Sequence, residues 1–195
     1  ASGPLGLEIL GFEGIDPKAS NYRSLVTKIK QSAPDLVYFG GTTQTNAGQL
    51  AKDLRAGGLA VKFMVPDGCF EDAFIESAGA ANLEGNTFIT FGGLPADKLT
   101  GKGAEYYANY KAKYNSEPQA YSAYGYESAR AVLEAIRIAG KKDRAAIAAA
   151  CGQIKDFDGL LAKWSFDENG DITTKTLSGN TVKNGKFEFV KILGQ

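Results

Sequence analysis

The sequence predicts an α/β fold built on a parallel sheet, followed by an antiparallel tail. Three observations carry that reading. Between Pro34 and Gly68, two short apolar runs, Leu36-Val37-Tyr38-Phe39 and Phe63-Met64-Val65, flank one amphipathic stretch, the pattern of a βαβ unit. Both runs are apolar throughout instead of alternating, as strands covered on both faces of a parallel sheet are. Near the end of the chain, Asp167-Glu168-Asn169-Gly170-Asp171 and Asn184-Gly185 each separate two β-forming runs, the pattern of antiparallel hairpins.

Taken in order, Leu7–Phe12 reads as a strand, and Pro17 holds Asp16 out of a helix. Ser20 or Asn21 is expected to cap a helix with an apolar face of Tyr22, Leu25, Val26 and Ile29. The Val37 strand follows Pro34. The next helix presents Ala47, Leu50, Ala51 and Leu54, and Gly57-Gly58 supplies its left-handed end. After a second strand ending at Asp67, Phe70–Ala78 is a short helix closed by Gly79. Asn86–Phe91 is a strand rich in β-formers. Gly92-Gly93-Leu94-Pro95 marks a boundary. Beyond it lie helices over Gly101–Asn115, Ser122–Ala139 and Asp143–Ile154. The middle one carries Tyr126, Ala129, Leu133 and Ile136 on its expected packed face. The tail pairs Leu160–Phe166 with Ile172–Leu177, and Val182 with Phe187–Ile192. Residues 1–91, 92–177 and 178–195 are the three expected segments.

With 195 residues the chain can build one large or two small cores. Its 22 basic and 22 acidic residues cancel, which gives no electrostatic footprint for nucleic acid or an anionic membrane. No apolar run approaches the roughly 20 residues of a membrane helix. Ala1–Gly6 lack the basic start and apolar run of a signal peptide and read as the ragged start of a processed or truncated chain. The absence of histidine removes the usual general base and most zinc sites. Cys69 and Cys151 make no metal spacing; Cys151 shares an apolar helix face with Ile147 and Ile154 and reads as an inert thiol.

Gly40-Gly41-Thr42-Thr43 opens a helix after a strand, as a phosphate loop does. It lacks the Lys-Ser/Thr ending and the third glycine of nucleotide loops, so no cofactor is expected. Thr42 and Thr43 either cap the helix or also offer a hydroxyl to a ligand. Asp67, in Val65-Pro66-Asp67-Gly68, is either turn chemistry or a carboxylate able to pair with an ammonium. Both follow parallel strands, on the rim where ligands of open sheets bind. Tyr121, beside Tyr124 and Tyr126, reads as packing or as a ligand platform. Asp167–Asp171 lacks the later glutamate of a calcium loop, so no metal is expected.

Several stretches together, in order along nearly the whole chain, resemble one family. They are Tyr22–Lys30, Asp35–Gly41, Leu54–Gly58, Pro66-Asp67-Gly68 and Phe166–Asp171. The family is the leucine/isoleucine/valine-binding class of solute-binding proteins of ATP-driven (ABC) importers, with the type I periplasmic-binding fold. The resemblance implies two three-layer α/β lobes that clamp an amino acid. Residues 1–91 are most of the second lobe, 92–177 part of the first, and 178–195 the returning strands. It places the ammonium-binding acid at Asp67, the residue after the Gly-Gly turn at Thr42 beside Gly41, and an aromatic wall at Tyr121. Leucine binders often carry an aromatic where Thr42 stands, which implies a larger or more polar pocket. The family's opening strands are missing, so the chain is expected to hold half a site.

The implied function is capture of an amino acid in the periplasm, without catalysis, for a membrane permease of an ABC importer. A ligand-sensing receptor domain is the second reading and a flavodoxin-like enzyme the third. The helices of residues 92–177 are expected to expose apolar surface and to favour a dimer or an exchange of elements between chains.

Overall fold

Ala47, Leu50, Ala51 and Leu54 recur at helical spacing, and all four are buried on α2 (Ala47–Ala56). That helix covers one side of a sheet whose central strands carry Phe63, Val65, Ile89 and Phe91, all within 1 % of complete burial. The computed structural model describes residues 3–194, so Ala1 and Ser2 of the expected ragged start lie outside the described residues. The chain divides into two compact units: residues up to Phe91 with Ser178–Lys191, and Gly92–Leu177 with the residues from Ile192.

In the first unit α1 (Arg23–Ser32), β1 (Leu36–Tyr38), α2, β2 (Lys62–Val65), α3 (Asp72–Ala78) and β3 (Thr87–Phe91) alternate. β1–β2 and β2–β3 pair in parallel. The chain returns with β6 (Leu177–Lys183) and β7 (Lys186–Leu193), and the sheet order is β1-β2-β3-β6-β7. β6 runs antiparallel to β3, setting Asn180 opposite Ile89 and Ser178 opposite Phe91. Asn184 and Gly185, both at positive φ, make the turn into β7, as Asn-Gly does in tight hairpins. Gly58 (φ +75°) follows α2, and Gly79 (φ +74°) closes α3.

Three expectations need correction here. Leu7–Phe12 forms no strand and pairs with none among the described residues, and Leu7, Ile9 and Phe12 are exposed. An apolar run becomes a strand only when an edge receives its backbone. β1 is accordingly the outer strand, and Leu36 and Tyr38 are exposed instead of covered on both faces. The N-cap position of α1 is Tyr22, one residue past the expected Asn21: the Asn21 side chain still accepts the Arg23 N–H at 3.3 Å, and the Tyr22 N–H donates 2.5 Å to the buried carboxylate of Asp53 on α2. A side chain from another helix thereby takes over a local role.

The second unit holds α4 (Lys102–Tyr114), α5 (Ser122–Ala139) and α6 (Arg144–Cys151), and a short antiparallel pair of β4 (Phe157–Asp158) and β5 (Lys163–Trp164). Asp143 caps α6, accepting the Ala146 N–H at 2.7 Å. The Asp167–Asp171 turn closes with the Asp167 N–H on the Asp171 carbonyl at 2.8 Å, and only Phe166 and Ile172 bridge beyond it. The packed face of α5 is Ala123, Glu127 and Ala135, not Tyr126, Ala129, Leu133 and Ile136; Leu133 is 65 % exposed. Small residues let α5 approach Ala150, Ile154 and Trp164 closely. Glu127 is tolerated there because it accepts the Leu160 N–H (2.9 Å) and the Trp164 Nε1–H (2.8 Å).

Candidate functional site

Two turns follow the carboxyl ends of parallel neighbours β1 and β2, so they meet on one rim. The first, Gly40–Thr43, opens a single 3-10 turn before α2. Thr42 N–H donates to Thr45 Oγ1 (2.8 Å), and Thr45 N–H returns to the Thr42 carbonyl (3.0 Å). Gly41 sits where a Cβ would fall 2.5 Å from both the Phe39 ring and Thr45 Oγ1. Its lack of a side chain lets the turn close over Phe39.

The second turn, Pro66–Cys69, is also a 3-10 turn, closed by Phe70 N–H on the Asp67 carbonyl at 2.8 Å. It packs against the first at three points. A Cβ on Gly68 would lie 2.7 Å from Thr42 Cγ2, Thr43 Oγ1 donates to the Gly68 carbonyl at 3.4 Å, and Cys69 Sγ reaches the Gly41 carbonyl at 4.0 Å. Gly41, Thr42 and Asp67 therefore share one rim, with Asp67 exposed at its mouth. Tyr121 stands on the second unit, half-exposed at the head of α5.

Two residues not singled out from the sequence join this rim. Gln44 Nε2 donates to Glu71 Oε1 at 2.8 Å, tying the segment after Thr42 to the segment after Asp67. The rim also carries negative potential. Burial pushes the Cys69 thiol up to about 12, and Glu71 and Asp67 push it the same way against a hydrogen bond from Thr43. The sequence signal that could have found this is the crowding of Asp67, Glu71 and Asp72 within six residues. In the polar groove of the second unit, lined in part by Lys102, Arg130, Glu134, Arg137 and Asp158, Lys102 pairs with Asp158, Arg137 with Glu134, and Arg130 with Glu127 behind the groove.

A family profile described as periplasmic binding protein matches residues 3–186. Among curated relatives, an amino acid binding protein of Pseudomonas aeruginosa is 31 % identical over 168 residues, covering 86 % of this chain and 44 % of its own length. A Leu/Ile/Val-binding protein homolog of Brucella abortus is 30 % identical, covering 86 % and 43 %. Among solved structures, the leucine binding protein LivK of Thermotoga maritima superposes with a TM-score of 0.81 at 27 % identity, over 90 % of this chain and 49 % of that one. The LivJ substrate binding protein of Streptococcus pneumoniae, in complex with isoleucine, gives 0.75 at 28 %, over 89 % and 49 %. The chain thus spans somewhat less than half the length of these relatives, and its α/β architecture is that of type I periplasmic-binding lobes. Matched from residue 3 to residue 186, it belongs to the periplasmic binding protein family.

Proposed function

We propose that the Thr42–Asp67 rim forms one wall of an amino-acid site in the solute-binding component of an ABC importer, working in the periplasm and delivering to a membrane permease. The carrying observation is the packing of the Gly40–Thr43 turn on the Pro66–Cys69 turn, which puts Thr42 and Asp67 on adjoining turns at the carboxyl ends of two parallel strands. A zwitterion entering a closed site brings an ammonium that must be paired when water is removed. Asp67 supplies charge and acceptor oxygens together; Thr42 adds a neutral partner and Gly41 a close approach of backbone. Tyr121 is the aromatic wall that the resemblance implies. Relatives named for binding leucine, isoleucine and valine, or amino acids, support this ligand class, and they support binding without chemistry.

The test is calorimetric titration of the full-length protein with a panel of amino acids. Asp67→Ala removes one partner of a closed pair and is expected to cost about 3–5 kcal/mol, two orders of magnitude or more in affinity. Thr42→Ala should cost about 0.5–1.5 kcal/mol. On an open rim the same carboxylate is worth only about 0–1 kcal/mol, so the 195-residue chain alone should bind weakly. Binding by Asp67→Ala within a few-fold of wild type would reduce Asp67 to a turn residue and remove the physical support for the reading.

A further inference from the structure

The chain carries the dipeptide Asn-Gly twice, at Asn169-Gly170 and Asn184-Gly185, and both asparagines are exposed in turns. An asparagine before glycine holds an electrophile and a nucleophile together. They are its own Cγ and the next backbone nitrogen, which no side chain shields when that residue is glycine. Attack requires the nitrogen to lose its proton and to swing onto Cγ, and that motion rotates the peptide out of its turn. The two dipeptides are chemically alike, so their reactivity is decided by what holds each turn.

Asn184-Gly185 is held on several sides. It joins β6 and β7, neighbours of seven and eight residues in the main sheet. Its two residues sit at φ of 52° and 71°, the positive values that a tight hairpin turn demands. Glu84, in the turn before β3, accepts both of its N–H groups, from Asn184 at 2.9 Å and from Gly185 at 3.5 Å. The negative carboxylate on the Gly185 N–H opposes its deprotonation, and rotating the peptide breaks both bonds. The neighbouring Gly85 N–H also donates to the Val182 carbonyl at 3.4 Å, which fastens β6 to the same turn.

Asn169-Gly170 is held only by its own turn. The Asp167 N–H meets the Asp171 carbonyl at 2.8 Å, and the Gly170 N–H donates at 3.1 Å to the neutral Asp167 carbonyl. Asp167 Oδ1 accepts from Asn169 N–H (2.9 Å) and Asp171 N–H (3.0 Å), leaving the Gly170 N–H without a carboxylate partner. Residues 168–171 are all exposed, and the Asn169 side-chain amide makes no hydrogen bond among the described residues. Every bond that must open lies within Asp167–Asp171, so the turn rearranges without disturbing a helix, the main sheet or a buried side chain.

We propose that Asn169 is a site of self-modification that takes only water, while Asn184 is protected. Solvent hydroxide removes the Gly170 amide proton, and the nitrogen bonds to Asn169 Cγ. The bond from Cγ to the side-chain nitrogen breaks, and that nitrogen leaves as ammonia with a proton from water. Water then opens the cyclic imide. Breaking the new bond to Cγ leaves an aspartate in a normal backbone. Breaking the bond to the main-chain carbonyl leaves isoaspartate, with the backbone routed through the former side chain. One water enters and one ammonia leaves, with no oxidant, reductant or cofactor. Either product adds a carboxylate to a turn that already holds Asp167, Glu168 and Asp171. The modification is independent of the amino-acid reading, since its turn belongs to the second unit and the rim to the first.

The test is incubation of the folded 195-residue chain in mildly alkaline buffer, followed by peptide mapping with mass spectrometry that separates isoaspartate from aspartate. The peptide bearing position 169 is expected to convert to both acids, and the one bearing position 184 to convert about tenfold more slowly or less. In urea, where neither turn is held, the two should convert at similar rates. Glu84→Ala should speed conversion at position 184 and leave position 169 unchanged. The proposal is overturned if Asn169 stays intact in the folded chain. It is also overturned if Asn184 converts as fast as Asn169 there, if the difference persists in urea, or if Asn184 is indifferent to Glu84→Ala.

Discussion

Removing the Glu127 carboxylate should destabilise the second unit more than any surface charge does. Glu127 is only 4 % exposed and holds the Leu160 N–H at 2.9 Å and the Trp164 Nε1–H at 2.8 Å. Space around it is tight: a Cβ on Gly159 would fall 1.8 Å from Glu127 Oε1. Glu127→Ala leaves two buried donors unpaired at about 1–3 kcal/mol each, so about 2–6 kcal/mol is expected in total. Arg130, 3.6 Å away and 32 % exposed, turns to water at little cost. Glu127→Gln keeps one acceptor but points an NH2 at the second donor, so about 1–3 kcal/mol is expected. Trp164 is the single tryptophan, buried in the cluster that Glu127 braces, so its fluorescence reports urea unfolding of this unit directly. At an m-value of about 2 kcal/mol/M, the alanine variant should lower the midpoint by about 2 M. A shift under about 0.5 M would show that the carboxylate contributes nothing beyond filling space, and would refute the reasoning.

Three further outcomes are expected. Gly48→Ala, which in an ordinary helix stabilises by up to ~1 kcal/mol, should instead cost about 1–3 kcal/mol by thermal melt, because its Cβ would meet the α3 backbone at Ala78 N (2.8 Å) and Ser77 C (2.9 Å). Asp53→Ala should cost about 1–2 kcal/mol in urea titration followed by circular dichroism, since it strips the cap from α1, with Asp53→Asn recovering part of the loss. Cys69 should resist a thiol reagent at pH 8, while Cys151, expected from the sequence to be a buried inert thiol but only half-buried in the structure, reacts. Its folded-state value of about 12 lies above its ordinary 9.0. The neutral buried thiol therefore contributes fully below about pH 9, and that contribution is lost as pH climbs toward about 12. Tyr124, raised by burial from 10.0 to about 12, adds loss in the same direction over the upper part of that range. Two equally fast thiol equivalents at pH 8 would contradict the burial of Cys69.

Where local chemistry decides the structure, the sequence was legible. The α2 face, Gly58 and Gly79 as helix ends, Asp143 as a cap and Asn184-Gly185 as a turn all follow from side-chain geometry within a few residues. The rim was legible for the same reason: two strands that pair in parallel must bring their following turns together. Placement by a distant partner was not legible. Leu7–Phe12 has a strand's composition, but nothing within it states whether an edge will receive it. On α5, periodicity shows that Tyr126, Ala129, Leu133 and Ile136 share a face, not that another element covers that face. The face that packs was hidden by Glu127, a charge that reads as solvent-facing until Leu160 and Trp164, more than 30 residues on, supply its donors. The α1 cap was misplaced for the same reason, because Asp53, which takes the Tyr22 N–H, is 31 residues away.

The return of β6 and β7 to the sheet begun by β1, β2 and β3 has a consequence for the order of assembly. The first unit is written in two pieces separated by the whole of Gly92–Leu177. During synthesis at about 5–20 residues per second, on the order of ten seconds pass between the emergence of β3 and that of β6. Throughout that interval Phe88–Phe91 has no antiparallel neighbour, since the residues that pair with it, Ser178–Thr181, do not yet exist. The second unit, contiguous in sequence up to Leu177, can complete its helices first. β3 thus waits for its antiparallel partner, and the nascent chain must hold an open strand edge in reserve until the β6–β7 hairpin arrives.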